Sequence, residues 1–293
     1  MLRDLRAGEL RLLVVAVTLA VAALTAVGFF ADRINGGLAR DARQLLGGDA
    51  IVASDQPVPP AFADKARALG LVTATTANFP SMGRAPDAKG GATRLVSVKA
   101  VSDAYPLRGR LRIRDAAGAD AATRDVAHGP APGTAWVDAA VLDALGLKVG
   151  DTLLLGDASL KTAEVIVIEP DRGTGFASLA PRVMLNVADL PSTGLVQPAS
   201  RITYRLAVAA NQVADDRVNS FVHWAQTEVK DRHLRGMRVE SIATGRPEMR
   251  QTLDRAGKFL NLVALLAALL AAVAVGIAAR DFASRHLDDC AML

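Results

Sequence analysis

The residues that could do chemistry in this sequence are few and stand far apart. The four histidines are His128, His223, His233 and His286. None is spaced with a second His and a Glu so that one helix face could hold zinc and a general base. The single cysteine, Cys290, excludes a Cys-x-x-Cys redox or metal pair and any internal disulfide. Gly257-Lys258 has two letters of a phosphate-binding loop. Phe259 follows where a Ser or Thr would ligate magnesium, and Thr252 stands where the first Gly would be. No Gly-x-Ser-x-Gly elbow occurs. Gly173-Thr174-Gly175, after Glu169-Pro170-Asp171, lacks the third Gly of a dinucleotide fingerprint and reads as a turn. His223 beside Trp224 on a helix reads as a surface or interface histidine. Asp288-Asp289 are adjacent carboxylates that face different ways on a helix, so a solvated pair is expected rather than a cation site. The pattern predicts a chain that is not an enzyme and has no catalytic, cofactor-binding or metal-binding residues.

The elements around these residues explain why chemistry is sparse. Of 293 residues 51% are hydrophobic, and mean hydropathy is +0.25, high for a protein wholly in water. Leu12 to Phe30 and Phe259 to Ala279 contain no charged residue. About 20 apolar residues cross a hydrocarbon core of about 30 Å as a helix, so two transmembrane helices are expected. Ala26-Val27-Gly28 is a passable signal-peptidase site. The long apolar run and the acids Asp4 and Glu9 favour an uncleaved anchor. Arginines flank both runs on both sides, so charge alone does not set the orientation. In the second run Ala264, Ala268, Ala272 and Gly276 recur every four residues. This small-residue face lets another helix pack closely. The net charge of +4 is scattered among acids, and aromatics are 4%, so no nucleic-acid surface is expected.

The residues between the runs read as a folded α+β domain. Asp32 to Leu46 continues the first run as a stalk helix ended by Gly47-Gly48. A strand over 49–53, a helix over 61–69 closed by Gly70, and strands over 71–79 and 94–101 follow. Residues 102–135 read as loop-rich. A small β-rich insert covers about 133–200, with strands over 135–137, 152–155, 163–168 and 183–186 and a helix over 138–145. Beyond it come a strand over 201–208, an amphipathic helix over 213–229 and a strand over 238–242. The two β-α-β parts around an insert predict an α+β sandwich. Pro247 to Gly257 is a second stalk leading into the second run. The expected organisation is therefore 1–31 for a surface helix and first span, 32–257 for the domain, 258–280 for the second span, and 281–293 for the start of a further segment. Within 281–293, Ala283, Leu287 and Cys290 begin an amphipathic helix that stops without a cap, as expected of a chain cut from a longer one.

Several stretches resemble a known family. They are Arg3-Asp4-Leu5-Arg6-Ala7-Gly8-Glu9-Leu10-Arg11-Leu12-Leu13, Leu46-Gly47-Gly48-Asp49, Tyr105-Pro106-Leu107-Arg108-Gly109, Leu145-Gly146-Leu147-Lys148-Val149-Gly150-Asp151-Thr152, and Ala279-Arg280 through Leu293. Together they resemble the FtsX-like permeases of ABC transporters, the group with lipoprotein-releasing and macrolide-exporting (MacB-type) members, and in detail the YbbP-type permeases. The resemblance implies a mechanotransmission role. A separate cytoplasmic ABC ATPase dimer would bind ATP and Mg, and its motion would pass through the spans and stalks to a MacB-like periplasmic domain at the bacterial inner membrane. Arg280, Arg285, Leu287, Asp288, Met292 and Leu293 would lead into the ATPase contact. Other partners implied are the remaining transmembrane helices of the permease, membrane lipid and a periplasmic protein. Cargo in such a family would be hydrophobic or lipid-like. In the family the chain continues past Ala291-Met292-Leu293, so an N-terminal fragment is expected. The alternative reading is a two-span periplasmic sensor without its cytoplasmic output domain.

Overall fold

A computed structural model describes residues 9–115, 122–172, 179–197, 200–211 and 216–241, with scattered helical positions between 255 and 284. The chain divides into two units, one of residues 1–39 and 246–293, the other of residues 40–245.

In the first unit, helix α1 runs Glu9–Leu46, 38 residues, and its last turns enter the second unit. It contains the uncharged stretch Leu12 to Phe30. Among the described residues no helix is long and apolar enough to cross a membrane. The side chains of much of that stretch lie outside the described residues. So do most of the expected surface helix over 1–11, the second stalk over 247–257, and several positions of the second run.

The second unit begins with β1 (Ala50–Ser54), α2 (Pro60–Ala68), β2 (Val72–Arg84) and β3 (Thr93–Val101). β4 (Leu111–Arg114), β5 (Thr123–Val126), β6 (Thr134–Asp138), α3 (Ala139–Leu145), β7 (Thr152–Leu155), β8 (Ala158–Ile168) and β9 (Arg182–Asn186) follow. β10 (Thr203–Ala209), α4 (Asp216–Asp231) and β11 (Arg238–Ser241) complete it. Local chemistry sets these boundaries. α2 starts on Pro60, where the missing N–H is no loss, and stops at Gly70 with φ +71°. α3 ends at Gly146 in the left-handed region, and Leu147 N–H closes back onto the Leu142 carbonyl.

All eleven strands share one sheet, ordered β11-β1-β10-β2-β3-β9-β6-β8-β4-β5, with β7 bridging β2 and β8. The β-rich segment after residue 133 is therefore hydrogen-bonded into the sheet of the outer strands. β9 pairs parallel with β3, and β7 pairs with the far end of β2. The expectation of a loop-rich stretch over 102–135 is corrected. It holds β4 and β5, paired to each other and to β8. β5, Thr-Arg-Asp-Val, is short and charged, as suits a strand at a sheet edge, and β4, Leu-Arg-Ile-Arg, one strand further in, alternates two buried residues with arginines; at four residues each they carry little strand signal.

The strand register separates two faces. Val52 and Leu206 pair across β1 and β10, as do Phe79 and Val98 across β2 and β3. This face is covered by helices. Phe62 of α2 and Phe221 and Ala225 of α4 are buried against β1 and β10, and Val141, Leu142 and Leu145 of α3 against β3 and β6. Phe62 meets Trp224 edge-on at 5.2 Å. The opposite face carries Ile51, Ala207 and Lys99. It is covered by Tyr105, Leu107, Leu111 and Ile113, with Leu46 of α1 at its margin.

Candidate functional site

Two of the stretches singled out from the sequence meet at the end of α1. The helix stops because Gly47 takes φ +80° and returns its N–H to the carbonyls of Arg43 (2.9 Å) and Gln44 (3.1 Å). A side chain here would collide: a Cβ on Gly47 would stand 3.0 Å from Asp171 Oδ2, and one on Gly48 3.1 Å from the Val208 carbonyl. Two glycines thus let the chain turn closely from helix into β1 and bring Asp49 to a fixed, 6% exposed position.

Asp49 is held from three directions. Arg108 donates from Nε to Oδ1 at 2.9 Å and from Nη2 to Oδ2 at 2.6 Å. The Ala210 N–H donates to Oδ2 at 2.9 Å, and Arg108 Nη2 also reaches the Ala210 carbonyl at 2.5 Å. One planar guanidinium therefore ties the start of β1, the end of β10 and the loop after β3. Arg43, in the last turn of α1, approaches the same carboxylate with Nε 3.6 Å from Oδ1.

A second, deeper cluster adjoins it. Lys99, pointing to the face away from the helices, donates to Tyr105 Oη (2.8 Å), Glu169 Oε1 (2.7 Å) and Asp171 Oδ1 (2.7 Å). Tyr105 donates to Asp171 Oδ1 at 2.5 Å. Arg182 donates to Glu169 Oε2 (2.9 Å) and Ser97 Oγ (2.6 Å). Two cations and two carboxylates are buried together, which is tolerable only because each is paired. Burial, followed by the charges of Asp171 and Glu169, pushes the Tyr105 hydroxyl well above its ordinary pKa. For Asp171, burial is the largest influence and pushes upward. The Lys99 charge and the hydrogen bonds from Lys99 and Tyr105 together outweigh it, and the carboxyl is held below its ordinary value.

Gly109 closes the arrangement. At φ +81°, a Cβ there would lie 2.8 Å from Pro170 Cβ and 3.8 Å from Gln44 Cβ. The loop Tyr105–Gly109 is thus wedged between the last turns of α1 and the segment Glu169–Asp171. The arrangement has no nucleophile–base pair. Among the described residues no group of three or more His, Cys, Asp or Glu could hold a metal. What it can do is fasten: it holds the start of β1, two residues past a long helix, to the end of β10 and to the loop after β3.

Of the residues expected to contact an ATPase, Arg280 is exposed at a helical position. Arg285, Leu287, Asp288, Met292 and Leu293 lie outside the described residues. Ala264, Ala268, Ala272 and Gly276 all fall at helical positions; the first two are half-buried and the last two exposed. Nothing stands within 4 Å of a Cβ built on Gly276. The sequence reading missed the Lys99 cluster. A signal was present, since Lys99 interrupts the apolar run Val96, Val98, Ala100 and Val101 in a strand otherwise fit for burial.

No protein-family model matches the chain. It is 32% identical over 292 residues to the uncharacterized ABC transporter permease YbbP of Escherichia coli (strain K12), a match covering 99% of this chain and 34% of that protein. The chain thus spans about a third of the length of this curated relative. Among solved structures, the periplasmic region of MacB from Actinobacillus actinomycetemcomitans overlaps 72% of this chain and 95% of its own, with a TM-score of 0.41 and 10% identity. Over nearly its whole length, therefore, the chain is a sequence relative of the YbbP-type ABC transporter permeases.

Proposed function

We propose that this chain serves as a permease subunit of an ABC transporter of the mechanotransmission type. A separate ATPase dimer binds ATP and Mg in the cytoplasm and hydrolyses it. The runs 12–30 and 259–279 cross the bacterial inner membrane, and the sheet domain lies in the periplasm. There it moves or extracts a hydrophobic or lipid-like substrate. The observation that carries this reading is the 32% identity to YbbP along 99% of the chain.

Two structural features support it. Large apolar side chains in both uncharged runs are exposed, among them Phe29 (74%), Leu270 (71%) and Ile277 (66%), as suits surfaces that meet lipid or other helices. The chain just past the end of α1 is also held to the domain through Asp49 and Arg108, so a displacement of that helix would be passed to the sheet over a link of only two residues, Gly47 and Gly48.

Co-purification tests the reading. The full-length permease carrying this chain is co-expressed with a candidate ABC ATPase from the same organism and purified by a permease tag. A stoichiometric ATPase, released when residues 280–293 are scrambled, is the expected result. If no ATPase associates in mild detergent while the permease remains folded, the reading fails and a two-span sensor takes its place.

A further inference from the structure

Asp49 faces two guanidinium groups from different parts of the chain, and they are unequally satisfied. Arg108 has both ends of its fork on Asp49 and keeps other acceptors, the Ala210 carbonyl at 2.5 Å and the Leu107 carbonyl at 3.4 Å. Arg43 has Nε and Nη1 buried without a hydrogen-bond partner among the described residues, and its Nε stands 3.6 Å from Asp49 Oδ1. Buried charged donors left unpaired are costly, so this arrangement is one of competition. Arg108 Nε already donates to Oδ1 at 2.9 Å, a shift of roughly 0.5 Å would bring Arg43 Nε within bonding range of the same oxygen, and two guanidinium charges crowded on one oxygen repel each other. Arg43 rides on α1, whereas Arg108 belongs to the loop after β3. Gly47 and Gly48 separate the last turn of α1, which carries Arg43, from Asp49, so the cation and the carboxylate stand on either side of a link that has no side chains.

We infer that Arg43 and Arg108 are alternative partners for Asp49, and that the position of α1 decides which of them holds it. When the last turn of α1 advances toward β1, Arg43 takes Oδ1. Arg108 then falls back on the Ala210 and Leu107 carbonyls and loosens the Tyr105–Gly109 loop. When α1 withdraws, Arg108 regains both carboxylate oxygens, as in the present structure. The exchange is a property of residues 40–210 alone. Its use in transport rests on the permease reading above, where α1 is the moving part.

The test is a set of thermal unfolding curves on the full chain in detergent micelles: Arg43→Gln, Arg108→Gln and both together, each made in the wild type and in an Asp49→Asn background, with Asp49→Asn alone as the second reference. If the two arginines are alternatives, Arg43→Gln alone moves the Tm little, because Arg108 already holds Asp49. In the Arg108→Gln background the same change lowers Tm by ~3 °C or more beyond its effect in the wild type. With Asp49→Asn that extra loss disappears. Equal effects of Arg43→Gln in the wild-type and Arg108→Gln backgrounds would overturn the inference, as would an extra loss that persists with Asp49→Asn. Should Arg108→Gln fail to fold, Arg108→Lys keeps the charge and removes the two-point grip. The same comparison is then made in that background, with the same two outcomes. No ATPase enters this experiment, so its failure and a failed co-purification are separate results.

Discussion

Asp49 and Arg108 lie 59 residues apart and form a two-point ion pair, Nε to Oδ1 at 2.9 Å and Nη2 to Oδ2 at 2.6 Å. Each comes from one of the short stretches singled out in the sequence, and their meeting gives those stretches a joint physical role. Asp49 alone would be a costly buried carboxylate, and Arg108 alone a tether with nothing to hold. Paired, they fix the start of β1 just past α1.

Asp49→Asn should destabilise the domain. Removing one partner of a buried pair costs about 3–5 kcal/mol. Arg108 is partly solvated, which reduces the expected loss to about 2–3 kcal/mol. Arg108→Lys should recover less than half of what Arg108→Ala loses, because an ammonium cannot bridge both oxygens. Urea unfolding of the full chain in detergent, followed by Trp136 and Trp224 fluorescence, gives both numbers.

Lys99→Met should be more damaging than any surface substitution. It leaves Glu169 with Arg182 alone and Asp171 with only the Tyr105 hydroxyl, inside a core where Lys99 is 1% exposed. The expected cost is about 3–5 kcal/mol. Asp171→Asn added to Lys99→Met should restore part of it, since the unpaired charge is then gone. The unfolding midpoints of the two variants decide the point.

The pH dependence has a defined sign on each side. Asp171 is held below its ordinary carboxyl pKa, so its contribution is fully present above about pH 4. It is lost as pH falls through the lower folded value. Tyr105 is raised, so its contribution is full below about pH 10 and declines as the unfolded chain begins to ionise above that. In Tm measured against pH, Asp171→Asn should flatten the acid limb and Tyr105→Phe the alkaline limb.

Glycines separate backbone strain from steric contact. Gly133→Ala meets open space at φ +79° and should cost about 1–2 kcal/mol from the left-handed backbone alone. Gly109→Ala has the same backbone penalty and also sets a methyl 2.8 Å from Pro170 Cβ, so it should cost at least twice as much. Comparing the two unfolding midpoints isolates the contact that wedges the loop against Pro170.

The order β1–α2–β2–β3 and β10–α4–β11 was legible because each element carries its own local signal: short runs rich in apolar and β-branched residues for the strands, Pro60 and Gly70 around α2, and Phe221 and Ala225 on one stripe of α4. β4 and β5 were not, since four-residue strands carrying charges look like loop until their partners are known. The Lys99 cluster was less legible still. Its bonds span 6, 70 and 72 residues, and Glu169-Pro170-Asp171 has the local composition of a turn. Asp49 and Arg108 each stood in a stretch picked out by resemblance, but no local pattern joins residues so far apart in the chain.

The most direct test of the account is hydrogen–deuterium exchange on the purified permease–ATPase complex, with and without ATP trapped at the ATPase. Motion passed through α1 into the domain should change exchange in peptides covering 40–49 and 105–110, and leave α3 at 139–145 unchanged. Identical exchange at 40–49 and 105–110 in the two states, while the ATPase is bound and active, would contradict the claim that this junction transmits the motion.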